Sequence, residues 1–161
     1  MGLVARHKKL AFYGVPGSGS PSTVTYHRMK NFTSLGQSKN PNEYSRKYVD
    51  KPNNESDVVG FSPALGFSFD LHTDNAVHED IVSIADGELI GDDAVRSIIL
   101  VDTITKTAIK RDYSVIMSSE GDNTNVYTYS GDFKCKGSPV HGTAATEDDW
   151  QTVTFTEDTG D

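Results

Sequence analysis

Between Val58 and Gly87 the hydrophobic repeat changes from that of a strand to that of a helix, and this change fixes one corner of the fold. Leu65, Phe67, Phe69 and Leu71 alternate with Gly66, Ser68, Asp70 and His72, the pattern of a strand buried on one face. Thr73, Asp74 and Asn75 then offer helix N-caps. Val77, Ile81 and Ile84 follow at helical spacing up to Gly87, a residue able to close a helix in the left-handed conformation. Burying a side chain such as Phe67 or Phe69 is worth roughly 1.5–3 kcal/mol, so the strand requires a second apolar layer. A two-turn helix does not hold in water by itself. It is expected to dock through Val77, Ile81 and Ile84, with His78, Glu79 and Asp80 toward solvent or a partner.

A chain of 161 residues is long enough for one core and short for two, so a single domain over 1–161 is expected. Its hydrophobic share of 35% is low, which implies residues held in arms, loops or subunit contacts. Residues 1–22 read as an N-terminal arm and loop: a mobile arm over 1–9, a short strand or anchor from Leu10 to Tyr13, then Pro16, Gly17, Gly19 and Pro21 excluding regular structure. Thr23 to Phe32 alternates without a purely apolar face, as edge and interface strands do. Residues 33–57 form a long polar excursion, turn-like over 33–42 and a strand over 43–49, and read as a protruding hairpin loop. Ser97 to Ile104 is apolar on both faces, a buried strand. Ile109–Met117, Asn125–Lys136 and Trp150–Glu157 alternate again, with loops over 118–125 and 137–149. One helix and six to eight strands make a mainly β sandwich or barrel with a single packed α-helix.

Chemistry is sparse. No apolar run approaches the ~20 residues needed to cross a bilayer, and no secretion signal follows Arg6, Lys8 and Lys9, so no membrane partner is expected. The single Cys135 excludes an internal disulfide; between Lys134 and Lys136, which point to the other face of a strand, it reads as a buried apolar residue. His72, Asp74 and His78 bracket the strand-to-helix turn and are the candidate metal trio, but Val82 stands where a second helical histidine would be needed. Asp74 as a cap and His78 as a surface residue is the simpler reading. The glycines of 15–22 precede no Gly-Lys-Ser/Thr, and Asp92–Asp93 and Asp148–Asp149 are explained by turn chemistry. No nucleophile elbow or triad is visible. The expectation is a protein without catalysis, metal or cofactor.

The net charge of -8 conceals a split: residues 1–51 carry +7 and residues 52–161 carry -15. A basic front on one copy can dock on the acidic body of the next. The basic residues are not gathered with interleaved aromatics, which argues against a nucleic-acid arm.

The segments RMKNFTSLGQSKNPNEYSRKYVD (28–50), DVVGFSPALGFSFDL (57–71), AVHEDIV (76–82), YTYSGDFKCKGSPVHG (127–142) and WQTVTFTE (150–157) resemble the tail tube (major tail) proteins of long-tailed, siphovirus-type phages of Gram-positive bacteria. The resemblance runs from about Leu10 to Glu157. It implies a β-sandwich or barrel subunit with one helix, assembled into hexameric rings that stack into a hollow tail tube. Linear double-stranded DNA passes through the lumen without sequence-specific binding. A tape measure protein and tail terminator and distal tail proteins are the further partners implied, and the location is the virion, after assembly in the host cytoplasm. On this reading residues 1–22 and 33–57 reach the neighbouring ring, with Arg6, Lys8, Lys9, Lys39, Arg46 and Lys47 as inter-ring contacts. Asp70, Asp132 and Glu157, taken to lie on polar strand faces, are the candidate lumen-facing acids. Tubes of contractile tails, tailocins and type VI-like particles share the superfold. A β-sandwich binding module using Tyr44, Tyr48 and Trp150 would by contrast be a monomer with an accessible groove, and a hydrolase using His72 or His141 would lose its activity on substitution of one histidine with assembly untouched.

Overall fold

Eleven strands and one α-helix form among the residues that the computed structural model describes, 2–17, 23–121 and 123–158. A 3-10 turn at Arg6–Lys8 leads into β1 (Lys9–Pro16), and β2 (Val24–Arg28) returns beside it. β3 (Phe32–Ser38), β4 (Pro41–Arg46), β5 (Glu55–Phe61) and β6 (Ala64–Asp70) run out and back. Then come α1 (Ala76–Gly87), a 3-10 turn at Gly91–Ala94, β7 (Val95–Asp102), β8 (Thr107–Glu120), β9 (Thr128–Cys135), β10 (Val140–Ala145) and β11 (Thr152–Glu157).

Nine strands share one antiparallel sheet in the order β10-β11-β2-β1-β7-β8-β9-β6-β3, and β10 pairs with β8 as well. Six strands therefore close into a barrel, while β9, β6 and β3 extend from it. The 14-residue β8 joins the two parts: Thr107–Lys110 pairs with β10 and Tyr113–Glu120 with β9. β4 and β5 form a separate two-stranded sheet.

Both faces of β1 and β7 are covered, which is why their sequences are apolar without alternation. Ala11, Tyr13 and Ile98 face one core; Phe12, Ile99 and Val101 face the barrel interior with Ala108, Ala144 and Val153. α1 closes the first core through Val77, Ile81 and Ile84, as their spacing predicts, in one cluster with Leu65, Phe67 and Phe69 of β6. Phe67 stacks on Phe133 at 4.4 Å between ring centres.

The structure corrects the sequence reading at several points. Lys9–Pro16 is a central strand with Phe12 and Tyr13 fully buried, so the expected short strand or anchor over Leu10–Tyr13 runs from Lys9 to Pro16 and takes in the first residues of the expected loop. Residues 18–22 of the expected loop, and residues 159–161 of the acidic tail, lie outside the described residues. The expected turn over 33–42 is mostly β3, whose polarity reflects its place at a sheet edge, and the expected loop over 137–149 contains β10. The protruding hairpin spans Pro41–Phe61, not 33–57. Asn75, rather than Thr73 or Asp74, caps α1 by accepting from the N–H groups of Val77 and His78. The helix runs through Gly87 and is closed by Glu88 in the left-handed conformation, φ 49°.

Candidate assembly surfaces

A strand with one neighbour leaves a row of backbone N–H and C=O groups open for pairing. β3 is such a strand, at the end of the sheet order. Its sequence, Phe-Thr-Ser-Leu-Gly-Gln-Ser, contains neither a charge nor the proline that would block an added strand. A second open edge lies across the same sheet. Val95, the first residue of β7, sits opposite Ser114, so Val115–Glu120 has β9 on one side and, among the described residues, no strand on the other.

The face of β6 and β9 turned away from α1 carries small polar side chains. Ala64, Gly66, Ser68 and Asp70 lie opposite Lys134, Asp132, Ser130 and Thr128, and a shallow groove there is lined by Ser34, Ser38, Gly66, Asp132 and Lys134. Asp70 and Asp132 thus share a face, four register steps apart, or about 13 Å along the strands. Glu157 is not with them. It shares its alternation with Val153 and Phe155, which line the barrel core, and ends β11 exposed at the barrel rim opposite Gly142. Reading it as part of a polar strand face misassigned the parity.

The β4–β5 hairpin leaves the sheet at Asn40, whose side-chain amide donates to the Ser62 carbonyl at 3.1 Å. On one face Arg46 pairs with Asp57 at 2.6 Å and lies over the rings of Tyr44 and Tyr48 at 5.3 and 5.2 Å. The carboxylate of Asp57, followed by the Tyr48 hydroxyl, raises the Arg46 pKa. The register places Pro41, Glu43, Val58 and Phe61 on the other face, with Val58 and Phe61 more than half exposed. An isolated two-stranded hairpin is marginal in water, and this one has an apolar side left open among the described residues.

Among the expected inter-ring cations, Arg46 is therefore committed within its own hairpin. Arg6 donates to the carbonyls of Lys9 at 2.6 Å and Leu35 at 3.1 Å, tying the first turn to β3. Lys8, Lys9, Lys39 and Lys47 are exposed, and none of them is in an ion pair among the described residues.

Two helix residues expected to face outward are turned inward. Asp80 accepts the Tyr13 hydroxyl at 2.5 Å and Nε of Arg96 at 2.8 Å, a clamp between α1, β1 and β7 in which burial, then the Asp80 charge, raises the Tyr13 pKa well above its ordinary value. His78 is fully buried and stacks on Phe69 at 4.1 Å. Its Nε2 donates to the Lys30 carbonyl at 3.0 Å and its Nδ1 accepts the His72 N–H at 3.2 Å, so neither nitrogen has a lone pair for a metal. Burial pushes its pKa down to about 4. Asp74 is exposed, Glu79 faces solvent as expected, and no metal-holding cluster occurs among the described residues. Sequence offers no local signal for the clamp, because Tyr13 and Asp80 are 67 residues apart.

Trp150 follows Asp149 with both in the left-handed conformation, φ 57° and 65°. It packs with the barrel core beside Phe12, ring centres 6.3 Å apart, and Lys106 lies over it at 5.3 Å. Asp148 holds this loop, and hydrogen bonds from the Thr152 hydroxyl and N–H keep its pKa at about 2. Trp150 therefore stoppers the barrel rather than offering a ligand platform. Cys135 is half-buried at the edge of the first core.

No protein-family model matches the chain, and no curated protein matches it. Among solved structures, a chain from the tail of an empty GTA particle, computed with helical refinement and C6 symmetry, superposes with a TM-score of 0.61 at 9% identity, covering 85% of this chain and 97% of that one. This chain has that tail chain's fold. A chain of the 6-fold symmetrised anti-feeding prophage (AFP) baseplate gives a TM-score of 0.46 at 8% identity, covering 88% of this chain and 96% of that one, too distant to add to the argument. The mainly β architecture with one packed helix expected from the sequence is thus the one observed, and it matches the tail-chain fold through almost the whole of the latter's length.

Proposed function

We propose that this protein is the structural subunit of a phage-type tail tube. The observation that carries the reading is the part of the sheet formed by the end of β8 with β9, β6 and β3, which has on each side a strand edge without a paired strand among the described residues, on a fold shared with a chain of a sixfold-symmetric tail. Pairing β3 of one copy with Val115–Glu120 of the next is a heterologous contact, and six such contacts close a ring in which no edge remains open.

The small polar face bearing Asp70 and Asp132 then lines the lumen, where carboxylates repel a phosphate backbone and let linear double-stranded DNA slide. Lys8, Lys9, Lys39 and Lys47, with the apolar side of the hairpin, face the neighbouring ring. On this reading the tube encloses a tape measure protein during assembly in the host cytoplasm, meets terminator and distal tail proteins at its ends, and belongs to the virion of a long-tailed phage of Gram-positive bacteria. Electron microscopy of the purified protein tests the proposal. Uniform sixfold rings or hollow tubes are expected, and a monomer that persists at high concentration rejects it.

A further inference from the structure

The core that α1 covers has two ends along β6. At one of them the strands part around a cleft of about 540 Å³, walled by Leu35, Leu65, Leu100 and Ile109. Arg6, Lys9 and Lys39 stand at its rim and have no ion pair among the described residues, Arg6 being bonded only to backbone carbonyls. The one acid at the rim, Asp102, is engaged by the N–H groups of Ile104 and Thr105.

The far end of β6, about 20 Å from Leu65 along the strand, presents the inverse. Leu71, Val126 and Tyr127 are 38%, 48% and 49% exposed, and the Leu71 N–H donates to the Tyr127 carbonyl at 2.9 Å, which makes them one patch. Acids surround it. Glu120 accepts the Tyr127 hydroxyl at 2.8 Å, Asp70 precedes Leu71, and Asp86 is near enough for its charge to raise the Tyr127 pKa. None of these three carboxylates is in an ion pair among the described residues.

We propose that the Val126–Tyr127 patch of one copy seats in the basic-rimmed cleft of a second copy stacked in the same sense. The inference rests on the tube reading and names the socket that would fix how successive rings meet. Apolar surface meets apolar surface, and three unpaired cations meet three unpaired acids, which sets the orientation and the partner. The hairpin is the weaker occupant. It springs from Lys39 and Asn40 at the cleft's own end, so stacking in one sense carries it away from the neighbour's cleft, and its apolar face bears only Glu43.

Cysteine pairs in a Cys135→Ser background decide the matter. Lys9→Cys with Val126→Cys places the two thiols at opposite ends of one copy, so mild oxidation of assembled tubes should give a ladder of covalently linked multimers. Lys9→Cys with Val58→Cys should give none. A ladder from the second pair alone overturns the proposal in favour of the hairpin. Tubes that form with no ladder from either pair overturn the socket and leave the tube reading standing, whereas wild-type protein that never assembles removes the tube reading and the socket with it. As a second arm, Lys9→Glu with Lys39→Glu should abolish tube growth at low salt, and adding Glu120→Lys with Asp86→Lys should restore it. Unaltered growth of the first double variant counts against the socket.

Discussion

At the scale of single residues, the helix is fixed by what it buries on its flank as much as along its apolar stripe. Removing one member of a buried ion pair strands the other, at a cost of about 3–5 kcal/mol. Asp80→Ala, which leaves Arg96 without its counter-charge and the Tyr13 hydroxyl without its acceptor, is expected to lose stability on that scale in urea unfolding, and Arg96→Met with Asp80→Leu to lose much less. His78 brings a pH dependence of definite sign. Its pKa is lowered in the folded chain to about 4, so the unfolded chain binds more protons below the ordinary histidine value of about 6.5. The contribution is complete above that value, declines as pH falls toward 4, and is at most about 3 kcal/mol. Urea midpoints measured across this window should fall with pH, and His78→Gln should flatten that part of the profile. The inward stripe Val77, Ile81 and Ile84 was legible from spacing alone. His78 and Asp80 were not, because their partners, the Lys30 carbonyl between β2 and β3 and the Tyr13 hydroxyl of β1, are distant in sequence.

At the scale of elements, readability tracked how many sides of each strand are covered. β6 and β9, buried on one face, alternate cleanly, and β7, buried on both, reads as a continuous apolar run. β3 is half open to solvent and β10 has small residues at Gly142 and Ala144, so both look like loops. Capping chemistry had narrowed the helix start to three residues; Asn75→Ala should cost about 1 kcal/mol in thermal unfolding. The open edge of β3 offers a sharper test. The register shifts between Phe32 and Ser34, which leaves Thr33 outside the ladder to β6. A proline is tolerated at such a bulge and removes a backbone donor from the edge strand. Thr33→Pro is therefore expected to keep the melting temperature within a few degrees while abolishing rings in electron micrographs; intact rings would show that β3 is not the pairing edge.

At the scale of the whole molecule, one strand belongs to two closed systems. β8 threads the barrel with its first residues and the open sheet with its last. A slip of one position against β9 would turn Val115 out of its core and at the same moment withdraw Ala108 from the barrel. The open edges consequently have a fixed register before any neighbour arrives. On the proposed tube reading each lone chain, like a template cut to one gauge, would bring the geometry of the bore with it rather than negotiate it during growth.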